Sequence, residues 1–152
     1  MASPASRPPR SALSDPTASR SIDSAPVVAR PARLGRIARS FGYAFEGLAT
    51  LLRTQPNFVV HVAAAGAALG LGIALRLGPA ELAILVVTIA LVLVVESVNT
   101  ALETLCDLVS PGFHPLIKRA KDISAAAVLI AALAAIAVAA LLFGPRLIAT
   151  FA

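Results

Sequence analysis

The sequence predicts an all-α membrane protein, with an amphipathic surface helix followed by three transmembrane helices. Three observations carry this expectation. Hydrophobic residues make up 58% of the 152 residues against 14% charged, and the mean hydropathy is +0.85, well outside the balance of a water-soluble domain. The apolar residues gather into three runs, each long enough at 1.5 Å per residue to cross a hydrocarbon core of about 30 Å. Ahead of them, one segment carries its apolar residues on a single helical face.

The net charge of +5 does not point to nucleic acid, because the basic residues are split between a polar tail and membrane-flanking positions with no stacking aromatics among them. The single cysteine, Cys106, excludes an intrachain disulfide and reads as a small helix-packing residue.

Residues 1–33 are rich in Ser, Pro, Ala and Arg and have no apolar periodicity. They are expected to form a disordered cytoplasmic tail, and no apolar h-region follows their first positive charges, so they do not read as a secretory signal. Residues 34–152 form the membrane domain. Between Leu34 and Thr54, Leu34, Ile37, Phe41, Phe45, Leu48 and Leu52 recur at three- and four-residue steps while Arg36, Arg39, Glu46 and Arg53 take other positions. That pattern is an amphipathic helix suited to the headgroup region, and Pro56 ends it or redirects the chain.

The first span is expected over about 57–77, where only His61 and Arg76 are ionisable. Gly66 and Gly70 make a small-xxx-small pair that lets another backbone approach, and His61, one turn in, reads as a packing or interfacial residue. Gly78 and Pro79 form a turn. The second span, about 81–108, runs without charge from Leu82 to Val95 and then turns acidic at Glu96. Ser110, Pro111 and Gly112 break it. The third, about 119–143, is Ala-, Val-, Ile- and Leu-rich and is expected to stop at Gly144 and Pro145. Eleven of the thirteen Lys and Arg residues precede the first span or lie between the second and third. The positive-inside rule therefore places the N-terminus and that loop in the cytoplasm.

The chemistry concentrates in Glu96 to Asp122. On a helix, Glu96, Glu103 and Asp107 fall within about 40° of one another, with Asn99 roughly 60° to one side. An ionisable side chain in a spanning segment is costly, on the order of 3 kcal/mol, so the default reading of such a stripe is a functional site. No phosphate-binding glycine loop, protein-kinase signature or nucleophile elbow is present, and two histidines with one cysteine do not make a zinc site. Carboxylates beside Lys118, Arg119 and Lys121 could hold Mg²⁺ and nucleotide phosphates for phosphoryl transfer. Glu96, the deepest, would then serve as general base, since low dielectric makes a carboxylate a better proton acceptor. The alternatives are that the stripe pairs helices or lines an ion path; the apolar half of the second helix offers such a path no continuation.

The run Glu96-Ser97-Val98-Asn99-Thr100-Ala101-Leu102-Glu103, then Asp107, His114, Lys118-Arg119-Ala120-Lys121-Asp122 and Ala125-Ala126-Ala127-Val128, closely resembles the signature of the prokaryotic diacylglycerol kinase family of small trimeric lipid kinases. The stretch Ser40 to Leu48 and Asn57-Phe58 are also similar, so the resemblance covers 36 to about 145. Asn57-Phe58 with His61, and His114-Pro115-Leu116, look more like the undecaprenol kinase branch.

The resemblance implies a homotrimeric kinase of the bacterial inner membrane that transfers the γ-phosphoryl of ATP to the primary hydroxyl of undecaprenol or diacylglycerol. It implies Glu96 as catalytic base and, with Asn99, as the lipid-binding pair, and Glu103 as ligand of the Mg²⁺ that bridges the ATP phosphates. Around the nucleotide it implies Arg36, Tyr43, Gly112, Phe113, His114, Lys121 and Asp122. A non-catalytic trimeric membrane protein derived from the family is the alternative. Two positions depart from the family pattern: Gln55 stands where a second metal-ligating glutamate is usual, and Val59 where an arginine is common. A glutamine amide oxygen brings no charge, so Mg²⁺ affinity should be lower.

Overall fold

The computed structural model of the protein describes residues 33–151; the expectation of a disordered tail lies, except for Arg33, outside them. The chain divides into two units at Ala38 and Arg39, and the apolar helices all belong to the second. The described residues form four helices: α1 (Arg33–Thr54), α2 (Pro56–Ala74), α3 (Pro79–Val109) and α4 (Pro115–Phe151).

Helix α1 is amphipathic, as its spacing requires, and its apolar residues Ile37, Phe41, Phe45, Leu48 and Leu52 are exposed, as they would be if that face met lipid headgroups. It ends where the residue before a proline is driven out of helical geometry: Gln55 takes φ −115° and ψ 96° and becomes the N-cap of α2, with Pro56 in the first turn. Helices α2, α3 and α4 are each long and apolar enough to cross a membrane. Many large apolar side chains on them, including Val60, Ile73, Val87, Leu129 and Ile136, are exposed, which suits contact with lipid far better than contact with water.

At its C-terminal end α2 closes three residues before the expected limit. The Leu77 N–H donates to the Gly72 carbonyl at 2.9 Å and the Arg76 N–H to the Ile73 carbonyl at 3.0 Å, the pair of bonds of a Schellman motif. Its pivot, Arg76, sits at φ 52°, a conformation that costs a non-glycine residue roughly 1 kcal/mol. The turn drives Leu77 into a core with Leu85, Leu142 and Phe143.

Helix α3 packs against both α2 and α4 and is the centre of the bundle. Gly72 sets the α2–α3 approach: a Cβ there would lie 3.3 Å from Leu85 Cδ2 and 3.5 Å from Leu77 Cδ1. The sequence drew attention instead to Gly66 and Gly70, yet a Cβ on either would meet nothing within 4 Å, so neither mediates packing inside this chain. Between α3 and α4, Glu81 Oε2 accepts from Arg146 Nη2 at 2.6 Å and from the Gly78 N–H at 2.8 Å. That clasp joins the N-terminal end of α3 to the C-terminal part of α4.

Two boundaries of α4 differ from the sequence expectation. It starts at Pro115 rather than near residue 119, because proline suits the first helical turn and the His114 ring caps it, Nδ1 accepting from the Leu116 N–H at 3.3 Å. It also runs through Gly144 and Pro145 to Phe151. Pro145 removes one backbone donor, leaving the Leu141 carbonyl without its helical partner, a loss that membrane helices tolerate; beside it Arg146 Nη1 donates to the Leu142 carbonyl at 3.1 Å.

Candidate active site

At 31 residues, α3 is about 46 Å long, half as long again as a hydrocarbon core. One stretch of it can therefore lie within lipid depth and another beyond it. Its buried face is made by Leu85, Val92, Glu96, Asn99 and Cys106, positions spaced by three, four or seven residues as one helical face demands. Along that face the chemistry changes from apolar to polar between Val92 and Glu96. Glu96 is 2% exposed and Asn99 8% exposed, so each is almost wholly enclosed by its own chain.

Farther along, Glu103 is half-buried and its Oε1 accepts from Asn99 Nδ2 at 3.3 Å, which orients the Asn99 amide. The other end of that amide, Oδ1, is buried without a hydrogen-bond partner, as is Thr100 Oγ1. A buried acceptor without a donor is costly, and at this position it suits an incoming hydroxyl. One turn beyond Glu103, Asp107 Oδ1 accepts from Lys121 Nζ at 2.5 Å. Lys118 and Asp122 form a second ion pair at 2.6 Å along α4. Both basic side chains nearest the acidic stripe thus have carboxylate partners.

The register of the helices follows from these contacts. Gly72 against Leu85 in an antiparallel pair puts His61 level with Glu96, and Gln55 level with Leu102 and Glu103. The pairs Asp107–Lys121 and Glu81–Arg146 place Ala131 and Ala132 of α4 opposite Glu96. His61 is half-buried and lies at the polar end of an apolar groove.

Of the residues expected in the site, the structure brings Glu96, Asn99 and Glu103 onto one stretch of α3, and Lys121 to Asp107 on the same helix. Gly112, Phe113 and His114 form the exposed α3–α4 loop, where Ser110 Oγ donates to the Gly112 carbonyl at 3.2 Å. Asp122 faces Lys118. Tyr43 is exposed on α1, and Arg36 lies in the opening turns of that helix. Sequence spacing placed Asp107 in the acidic stripe but gave it no role, because its partner lies on another helix. The sequence reading of His61 as a packing or interfacial residue likewise carries no information about which residues of α3 it lies level with.

Among the described residues no three His, Cys, Asp or Glu side chains come together as a metal cage. Glu103, which accepts from Asn99 Nδ2, has no ion-pair partner among the described residues, whereas Asp107 is held by Lys121. That fits Mg²⁺, which is commonly held by one or two carboxylates together with substrate phosphates rather than by an all-protein cage.

The family profile described as "Prokaryotic diacylglycerol kinase" matches residues 42–143. A protein named diacylglycerol kinase from Synechocystis sp. is 41% identical over 110 residues, covering 72% of this chain and 63% of the relative, so this chain spans less than two thirds of that protein. A protein named undecaprenol kinase from Bacillus subtilis is 38% identical over 114 residues, 75% of this chain and 93% of the relative. A diacylglycerol kinase from Escherichia coli is 32% identical over 101 residues, 66% of this chain and 83% of the relative.

Proposed function

Because this chain belongs to the prokaryotic diacylglycerol kinase family, we propose that it is an integral-membrane lipid kinase that transfers the γ-phosphoryl of ATP to the primary hydroxyl of a membrane lipid. The observation that carries this reading is the polar end of the buried α3 face, where Glu96 and Asn99 are enclosed and Asn99 Oδ1 lacks a donor. A lipid hydroxyl arriving there would first donate its one hydrogen to Asn99 Oδ1; turned to Glu96, it would give up that proton as its oxygen attacks the γ-phosphorus and the bond to the departing ADP oxygen breaks. Asn99 is steadied by Glu103, so the hydroxyl is met by an oriented acceptor.

Lys121 would exchange Asp107 for the nucleotide phosphates and offset charge on the transferring group. The Gly112 to His114 loop, Asp122 and Tyr43 would complete the nucleotide site. Glu103 would hold Mg²⁺, with Gln55 level with it; the metal supplies neutralisation of phosphate charge. In this reading the chain works as a homotrimer in the bacterial inner membrane, with its N-terminus and site facing the cytoplasm, the orientation favoured by the distribution of its basic residues.

Purified protein in mixed micelles, given labelled ATP and Mg²⁺, is expected to phosphorylate undecaprenol, diacylglycerol or both. Labelling of neither lipid would sink the kinase reading and leave the non-catalytic alternative.

The position of Gln55 makes a second expectation. Gln55→Glu adds a negative charge level with Glu103 and at the N-terminus of α2, where the helix dipole favours an anion. The Mg²⁺ concentration for half-maximal activity should fall by about three- to tenfold. An unchanged Mg²⁺ titration would remove residue 55 from the metal site.

A further inference from the structure

The described residues hold six threonines, all of them helical. Five spend their hydroxyls in one way: Thr50, Thr54, Thr88, Thr104 and Thr150 each donate to the carbonyl four residues back, at 2.8 to 2.9 Å. Such a bond satisfies the hydroxyl within its own helix. Thr100 is the exception. Its Oγ1 is enclosed by protein and has no hydrogen-bond partner, although the Glu96 carbonyl is the one this pattern would assign to it. An unpaired buried hydroxyl is costly, and valine, of nearly the same shape, would avoid the cost.

The place of Thr100 on α3 says which partner suits it. Glu96 and Glu103 share one face of the helix, and Thr100 lies between them, about 6 Å of rise beyond Glu96 and about 4.5 Å short of Glu103. Around the axis it is about 40° from Glu96, on the side away from Asn99. In the proposed reaction the attacking oxygen is at Glu96 and phosphate charge is neutralised at Glu103, so the γ-phosphorus passes between the two. Its three equatorial oxygens carry charge and accept hydrogen bonds. Of the hydroxyls on this stretch of α3, those of Ser97 and Thr104 are bonded to backbone carbonyls; that of Thr100 is unspent. Thr100 is half-buried as a residue, so a turn about Cα–Cβ exchanges methyl and hydroxyl and presents Oγ1 outward without breaking a hydrogen bond.

Resting on the lipid-kinase reading, we propose that Thr100 is a further catalytic residue whose hydroxyl donates to a γ-phosphoryl oxygen during transfer. The lipid oxygen forms its bond to phosphorus, the bond from phosphorus to the bridging oxygen of ADP breaks, and the lipid proton goes to Glu96. Thr100 keeps its own proton throughout. Placed between the two carboxylates, its hydroxyl fits the phosphoryl group on its way from ADP to lipid, so the bond acts on rate more than on ground-state binding.

Thr100→Val, made in the full chain, removes the hydroxyl and keeps the shape. In mixed micelles it is expected to lower kcat by about 10- to 100-fold, the worth of one hydrogen bond to a charged group, with KM for ATP and for lipid little changed. It should unfold at the wild-type temperature or higher, since the hydroxyl it deletes is unpaired. Thr100→Ser should restore most of the rate, and Thr104→Val, a turn away on the same helix, should leave it unchanged. ATPγS gives the readout tied to the phosphoryl group: sulfur is the weaker acceptor, so the ratio of ATP to ATPγS rates should be smaller in Thr100→Val than in the wild type. A wild-type rate in Thr100→Val, an equal loss in Thr100→Ser, or an unchanged ATP-to-ATPγS ratio would each overturn the proposal. Should Thr100→Val not fold, Thr100→Ala replaces it, and a rate equal to that of Thr100→Ser would overturn the proposal as well. An active wild type beside a fully active Thr100→Val rejects this role alone; a wild type that phosphorylates neither undecaprenol nor diacylglycerol rejects the kinase reading and this role with it.

Discussion

Glu96→Gln is expected to abolish lipid phosphorylation, with kcat falling by about 10²- to 10⁴-fold, the range a positioned general base contributes. Glutamine keeps the shape and hydrogen-bonding capacity of the side chain but cannot accept the hydroxyl proton. Because Glu96 is 2% exposed, exchanging it for a neutral isostere removes a group whose charged form is costly to bury, so the variant should unfold at the same temperature as the wild type or higher. This separates chemistry from structure. A stripe that merely pairs helices would lose stability on neutralisation and show no selective loss of rate. Detergent-phase thermal unfolding and labelled-ATP transfer, measured on the same preparation, decide the matter; retention of more than about a tenth of the rate would exclude Glu96 as the base.

Lys121→Met is the second large effect. Its ammonium is held by Asp107 at 2.5 Å; if it serves the phosphates as proposed, its loss should lower kcat/KM for ATP by about 10²-fold or more, the scale of removing one preorganised donor to developing charge. KM for the lipid should be nearly unaffected. Asp107→Asn should behave differently: it frees Lys121 without deleting it, and because the Asp107 side chain is 67% exposed the pair is well screened and contributes little to stability. If Lys121→Met and Asp107→Asn give the same loss, the pair acts as a unit that shapes the site, and Lys121 is not a separate phosphate contact. Steady-state kinetics with ATP varied at saturating lipid distinguish the two results.

The helical periodicities were legible in the chain because they are local. The spacing of Ile37, Phe41, Phe45 and Leu48 carries the amphipathic face of α1, and the uncharged run from Leu82 to Val95 carries a spanning segment of α3. Punctuation was less legible. Gly144-Pro145 is an ordinary stop signal for a soluble helix, yet α4 passes through it, as apolar spanning helices can. Arg76 was an expected spanning residue and is instead the left-handed pivot of a turn, a role usually given to glycine.

From the sequence alone came the membrane class, the helical elements, the acidic stripe of α3 and the family resemblance, since each depends on residues whose relative placement follows from one helix's own period. Tertiary structure alone decided the register between helices: Gly72 rather than Gly66 or Gly70 against α3, His61 level with Glu96, Lys121 on Asp107, and a groove between α2 and α4. The physical reason is that residues on different helices have no shared period. Their alignment is set by where turns close, as at Arg76, and by which side chains fill the space between helices, as Leu77 and Leu85 do around Gly72.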